Sequence, residues 1–182
     1  MTGEYRIDAS RDAVWDALND PQMLKICIPG CEALEQVGDN AYTARVKAAV
    51  GPVRATFQSK LTIEDPVPPE SYTLRGDAKA GAAGFGRGAA KVSLADVEEG
   101  TLLSYSADFK VGGKLAQVGS RLVTGATRKT AEQFFGNLSR ELAPAAAEPE
   151  PPKPAPASRQ QRAWVLAAIA AIMSLIAWIL LR

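Results

Sequence analysis

The segment from Gly112 to Leu142 has the apolar periodicity of one long helix, and it constrains the fold more than any other part of the sequence. Its apolar residues recur at steps of three and four along one stripe: Leu115, Val118, Leu122, Ala126, Phe134, Leu138 and Leu142. Such a helix would be about 45 Å long. Because this stripe has to be covered, we expect the rest of the chain to supply a broad apolar surface.

The preceding residues alternate between apolar and polar side chains, which is the pattern of β-strands. Turn sequences interrupt the alternation and predict strands near 32–37, 41–50, 53–64, 71–80, 85–97 and 101–110. Connections this short favour an antiparallel meander. A strand near 3–9 and two short helices, capped by Ser10 and Asp20, come first. The sequence therefore predicts an α+β fold in which a curved antiparallel sheet wraps around a long C-terminal helix.

The alternation assigns one face of the sheet to the long helix, and many residues on that face are small, including Gly86, Gly88 and Ala107. The helix also has small residues near its middle, at Gly119 and Gly125, where each glycine lowers helix stability by about 1 kcal/mol relative to alanine. Packed interiors contain few voids. Two interpretations therefore remain open: the helix packs closely on the sheet, or an apolar cavity remains between them.

The opposite face of the predicted sheet is basic. It has Arg45, Lys47, Arg54, Lys60, Arg75, Lys79, Arg87 and Lys91 against Glu64 and Asp77. The formal net charge is only +1, so we expect the acids to cluster elsewhere, at residues such as Asp12 and Glu32. A basic face can simply keep a sheet soluble, or it can dock an acidic partner or anionic lipid headgroups. The candidate docking residues are Arg75, Lys79, Arg87 and Lys91. Nucleic acid is not expected, because the face lacks aromatic side chains that would stack on bases.

The composition disfavours a metal site and an enzyme. The chain has no histidine, and its two cysteines, Cys27 and Cys31, cannot form a four-ligand zinc site. We expect them to be reduced thiols of a cytoplasmic protein. The glycine run 81–88 precedes a strand, not a helix, so it lacks the context of a phosphate-binding loop. On the predicted inner face only tyrosines could transfer protons.

The composition changes after Leu142, and this divides the chain into a domain at 1–142, a linker at 143–162 and a tail at 163–182. The linker is rich in proline, alanine and glutamate, which is typical of an extended spacer. The tail contains a run of uncharged residues, 163–181, long enough to cross a bilayer as a helix, with Trp164 and Trp178 near its ends. The N-terminus lacks the features of a secretory signal. We therefore expect a single-pass anchor in the cytoplasmic membrane, with the domain in the cytoplasm.

Three motifs resemble the CoxG family of carbon monoxide dehydrogenase proteins, within the START/Bet v 1-like (SRPBCC) helix-grip superfamily. They are CIPGCE at 27–32, GAAGFGRGAA at 81–90 and VGGKLAQVGSRL at 111–122. The resemblance implies an accessory protein and not the catalytic component. It would recruit the molybdenum-containing CO dehydrogenase, or a related molybdenum hydroxylase, to the cytoplasmic membrane, where electrons pass to the quinone pool.

The expected ligand pocket lies between the sheet and the long helix. Its candidate residues are Phe57, Leu74, Gly86, Gly88, Tyr105, Ala107, Phe109, Leu115, Val118, Gly119 and Leu122. Few polar groups in an apolar pocket suit a lipophilic ligand, so we expect a non-covalently bound quinone, either menaquinone or ubiquinone. The alternatives are a lipid-transfer module without an enzyme partner and a cyclase- or hydrolase-type helix-grip enzyme, although the second would need positioned acid–base groups.

Overall fold

A computed structural model of the chain describes residues 1–143 and confirms the predicted α+β architecture. The strands are β1 (Thr2–Ile7), β2 (Cys31–Gly38), β3 (Ala41–Val50), β4 (Val53–Val67), β5 (Ser71–Lys79), β6 (Phe85–Val97) and β7 (Gly100–Gly112). The helices are α1 (Arg11–Asn19), α2 (Pro21–Cys27), α3 (Lys114–Gln117) and α4 (Ser120–Leu142), and a single 3-10 turn, Gly81–Ala83, precedes β6. The predicted linker from residue 144 onward and the predicted anchor lie outside the described residues. Within residues 1–143, no helix is both long and apolar enough to cross a membrane.

The seven strands form one antiparallel sheet in the order β1-β7-β6-β5-β4-β3-β2. The register aligns Ile63 with Leu74, Leu74 with Ala90, and Ala90 with Ala107 across four neighbouring strands. Residues directly opposite each other in antiparallel strands point to the same side of the sheet. The register thus confirms the predicted inner face, and α4 lies on that side.

The two short helices begin where the capping residues predict. The Ser10 hydroxyl accepts a hydrogen bond from the backbone N–H of Ala13 at 3.3 Å, and the Asp20 carboxylate accepts one from the N–H of Gln22 at 2.8 Å. Thr101 on β7 is completely buried, and its hydroxyl donates to the carbonyl of Ala9 at 2.8 Å. This bond ties the start of α1 to the central strands, so α1 and α2 close one end of the concave face.

The prediction of a single helix from Gly112 to Leu142 is wrong at its start. Strand β7 continues to Gly112, α3 is a single turn, and α4 begins only at Ser120. The reason is backbone conformation: Gly113 has a φ of +72° and Gly119 a φ of +91°, both in the left-handed region that favours glycine. Gly119 is therefore the break before α4, not a small residue in the middle of a helix.

The C-terminal half of α4 is packed into the main core. Leu138 is completely buried, and the Phe135 ring stacks on Tyr5 of β1 with 4.3 Å between ring centroids. Fully buried residues on β1, α1 and β7 complete this part of the core: Ile7, Val14 and Leu103. Because these contacts fix the C-terminal half of α4 against the sheet, they also determine the space left beneath its preceding turns.

Candidate functional site

An apolar cavity of about 450 Å³ lies between α4 and the concave face of the sheet. The sheet contributes Ile63, Leu74, Ala90, Val92, Leu103 and Ala107 to its wall. Helix α4 contributes Ala126, Thr127, Thr130, Ala131, Phe134 and Phe135. Of the two interpretations that the small residues left open, the structure therefore has the cavity. Its volume is within the range of small-molecule sites in proteins.

The cavity communicates with solvent between α4 and the end of β3. Ala49 on β3 and Thr130 on α4 belong to the cavity wall and are exposed. On the opposite side, Leu24 of α2 and the following Ile28 and Pro29 close the wall. A ligand could therefore enter beside α4 without disturbing the packed C-terminal half of that helix.

The wall contains five hydroxyl groups and, among the residues that the structure describes, no charged side chain. Three of the hydroxyls donate to backbone carbonyls: Tyr42 to Asn19 at 3.3 Å, Thr127 to Val123 at 2.9 Å, and Thr130 to Ala126 at 3.0 Å. The other two belong to Tyr72 and Tyr105. The Tyr105 ring lies beside Tyr5, with 6.3 Å between ring centroids. The site can therefore hold an apolar molecule and offers it few polar contacts.

Burial keeps the phenols of the cavity protonated. It raises the pKa of Tyr72 well above its usual range, and the nearby Tyr42 phenol raises it further. Burial also raises the pKa of Tyr42. A phenol with a raised pKa is a poor general base at neutral pH, so these groups can donate hydrogen bonds but are not suited to accept protons from a substrate.

Three of the predicted pocket residues, Leu74, Tyr105 and Ala107, line the cavity. The others lie elsewhere: Phe57, Gly86, Gly88, Phe109, Leu115, Val118, Gly119 and Leu122. On β6 and β7 the displacement is small, since Gly88 and Phe109 face each other one inward-facing position along from Ala90 and Ala107. The predicted helical residues precede the part of α4 that covers the cavity, because the chain uses Gly113–Gly119 to turn before the helix begins.

Several wall residues were not among the predicted pocket residues. Tyr42 and Tyr72 were assigned to the inner face but were not included in the pocket. Ala126 and Thr130, and likewise Thr127 and Ala131, are four residues apart on α4 and give it a narrow strip of small side chains. That spacing was visible in the sequence. It could have located the cavity on the helix if the start of α4 had been placed correctly.

The predicted basic docking residues lie on the outer face of the sheet, and all four are exposed. Arg75 is already engaged: its guanidinium makes two hydrogen bonds to Glu64, at 2.8 and 3.1 Å, and this contact lowers the pKa of Glu64. The guanidinium of Arg87 lies 5.3 Å from the centre of the Phe85 ring. Among the described residues, no ion pair involves Lys79, Arg87 or Lys91.

The acids are less segregated from the bases than the charge pattern of the sequence predicts. The Glu32 carboxylate lies 2.7 Å from the ammonium of Lys47 and 3.4 Å from the guanidinium of Arg45. Hydrogen bonding to Lys47 lowers the pKa of Glu32. The expectation that Glu32 clusters with the other acids is therefore wrong, because the β2–β3 pairing brings it beside basic residues of β3.

Cys27 is buried and Cys31 is half-buried, and both are free thiols. Burial raises the pKa of each, so neither is an activated thiolate. Among the described residues, no group of three or more cysteine, aspartate or glutamate side chains is placed to hold a metal ion.

The chain is similar to solved helix-grip structures. A conserved protein from Geobacillus kaustophilus is 29% identical, with a TM-score of 0.74 over 78% of this chain and 93% of that chain. The Zhui aromatase/cyclase from a Streptomyces species is 14% identical, with a TM-score of 0.58 over 78% of this chain and 92% of that chain. A protein from Chromobacterium violaceum is 17% identical, with a TM-score of 0.59 over 79% and 97% of the two chains. The last two similarities concern the fold alone.

No curated protein matches the chain significantly. The family model of CoxG, a carbon monoxide dehydrogenase protein, matches residues 3–143, which include the whole sheet, all four helices and the cavity. The three motifs that first indicated this resemblance lie within the matched range. The chain therefore belongs to the carbon monoxide dehydrogenase CoxG family.

Proposed function

We propose that this protein is an accessory factor that holds a lipophilic ligand, such as a respiratory quinone, beside a molybdenum-containing CO dehydrogenase or a related molybdenum hydroxylase. The observation that carries the proposal is the apolar cavity beneath α4, whose described wall has no charged side chain. Burying about 400 Å² of apolar ligand surface would contribute roughly 10 kcal/mol before the cost of association. Family membership supplies the link to CO dehydrogenase.

The chemistry of the wall supports a carrier more than an enzyme. The aromatase/cyclase among the structural neighbours raises an enzymatic alternative for this fold. General acid–base catalysis needs a group whose pKa lies near the working pH. The titratable groups of the wall are phenols, and burial raises the pKa of Tyr42 and Tyr72 further from neutrality. A lipid-transfer module that works without an enzyme partner uses the same cavity and remains the second candidate.

The membrane part of the proposal depends on the sequence of the tail. The uncharged run at 163–181 would anchor the chain in the cytoplasmic membrane, and the proline-rich residues before it would act as a spacer. A ligand that is dissolved in the bilayer would then be within reach of a domain tethered to the same membrane. Treatment of membranes with alkaline carbonate tests this part, because an integral anchor resists extraction and a peripheral protein is released.

Reconstitution tests the accessory role. Purified CO dehydrogenase is mixed with liposomes that contain a long-chain quinone, with the full-length chain, without it, or with a chain that lacks residues 163–182. We expect the enzyme to sediment with the liposomes, and the quinone to be reduced with CO as electron donor, only when the full-length chain is present. Equal sedimentation and equal quinone reduction in its absence would contradict the proposal.

A further inference from the structure

One polar group of the cavity is not satisfied by the protein. Tyr72 is 6% exposed, and its ring packs edge-on against Trp15 with 5.6 Å between centroids. Among the described residues, its hydroxyl has no hydrogen-bond partner, whereas Tyr42, Thr127 and Thr130 each donate to a carbonyl. Buried hydroxyl groups in proteins are nearly always paired, with protein groups or with another molecule.

The position of the hydroxyl indicates where its partner would come from. Within the described part of the chain, no fully enclosed side-chain oxygen or nitrogen lacks a hydrogen-bond partner. The Tyr72 oxygen, which has none, must therefore retain contact with open space, and Tyr72 belongs to the wall of the cavity. An acceptor atom on a ligand in the cavity is thus the available partner. Burial raises the pKa of Tyr72, so the phenol keeps the proton that it would donate.

We propose that the Tyr72 hydroxyl donates a hydrogen bond to a carbonyl oxygen of the bound ligand and so fixes which end of the ligand lies deepest in the cavity. This inference rests on the proposed function, since it names a recognition contact within the same site. The ligand class is an apolar ring or chain that bears a carbonyl group. A pure hydrocarbon could fill the cavity but would leave the hydroxyl unpaired, and it would bind less well for that reason.

The test compares two probes of nearly the same shape, menadione and methylnaphthalene, of which only menadione has carbonyl groups. Their affinities are measured for the full-length chain in detergent and for Tyr72→Phe, which removes only the hydroxyl. We expect Tyr72→Phe to bind menadione about five- to tenfold more weakly and methylnaphthalene unchanged. The melting temperature should not fall, because the lost hydroxyl has no protein partner. Tyr105→Phe is the matched control, since the Tyr105 phenol lies beside that of Tyr5, and it should change the menadione affinity less than twofold.

The outcomes separate this inference from the proposed function. If the native chain binds neither probe, the cavity does not take up such ligands, and both proposals fail. If the native chain and Tyr72→Phe bind menadione equally, the proposed function stands and the role of Tyr72 is overturned. A parallel loss of both probes in Tyr72→Phe would also overturn it, because a hydrogen bond to a carbonyl cannot affect a hydrocarbon.

Discussion

Gly86 and Gly88 lie two residues apart on β6, and they differ in the space beside them. A Cβ added at Gly88 would lie 2.3 Å from the carbonyl oxygen of Asp108 and 2.8 Å from the Cβ of Phe109. A Cβ added at Gly86 would meet nothing nearer than a methyl group of Val111 at 3.8 Å. The sequence showed two small residues on one face, but only Gly88 is required by the close approach of β7.

We therefore predict opposite effects of alanine at these two positions. Gly88→Ala should destabilise the domain by about 1–3 kcal/mol, because backbone atoms of β7 have to move to make room. Gly86→Ala, its matched control, should be neutral or stabilise by up to about 1 kcal/mol, since alanine reduces the freedom of the unfolded chain. Chemical denaturation measures both effects. Equal loss of stability in the two variants would contradict this assignment.

At the scale of elements, the break before α4 determines where the cavity lies. Gly119 has a φ of +91°, and Gly125 is inside the helix; neither has another atom within 4 Å of an added Cβ. Gly119→Ala should cost about 1–2 kcal/mol through backbone strain alone. Gly125→Ala should stabilise by about 1 kcal/mol through helix propensity. Thermal unfolding tests the pair, and a stabilising Gly119→Ala would show that the helix continues through residue 119.

The same break explains how far the sequence predicts the site. Alternation was enough to place Leu74, Tyr105 and Ala107 on the inner face, because the direction of a strand side chain depends only on parity. Leu115 and Leu122 have the correct helical periodicity, yet periodicity does not show where a helix begins to cross the sheet. That crossing depends on the positive φ angles of Gly113 and Gly119, and glycine is compatible with either conformation.

The outer face of the sheet provides the test of partner docking. Lys79, Arg87 and Lys91 are exposed, whereas Arg75 is paired with Glu64. Changing the first three to glutamate should weaken binding to CO dehydrogenase at least tenfold at low salt, and added salt should weaken binding of the native chain. Calorimetric titration at two salt concentrations measures both effects.

The control for docking reverses the same amount of charge away from the sheet, at Lys25, Arg121 and Lys129, which are exposed residues of α2 and α4. It should leave binding nearly unchanged. Circular dichroism checks that both triple variants remain folded. If the sheet variant and the control bind CO dehydrogenase equally well, the outer face has no docking role.

At the scale of the whole molecule, the proposed protein combines a cavity-bearing domain with a predicted membrane anchor and a predicted enzyme partner. Each part has a separate test, but only the cavity gives the other two a purpose. An anchor would bring the domain to a pool of lipophilic molecules, and an enzyme partner would exchange electrons with one of them. The content of the cavity is therefore the central claim.

The most direct test is the quinone content of the full-length chain purified from its own host, determined by organic extraction and mass spectrometry. We predict about one quinone per native chain and little in Ala107→Phe, whose ring would occupy the cavity while the domain stays folded. Ala95→Phe, on the exposed outer side of β6, should retain the quinone and control for detergent carry-over. Phospholipid alone in the native chain, or equal quinone in the native chain and Ala107→Phe, would contradict the account.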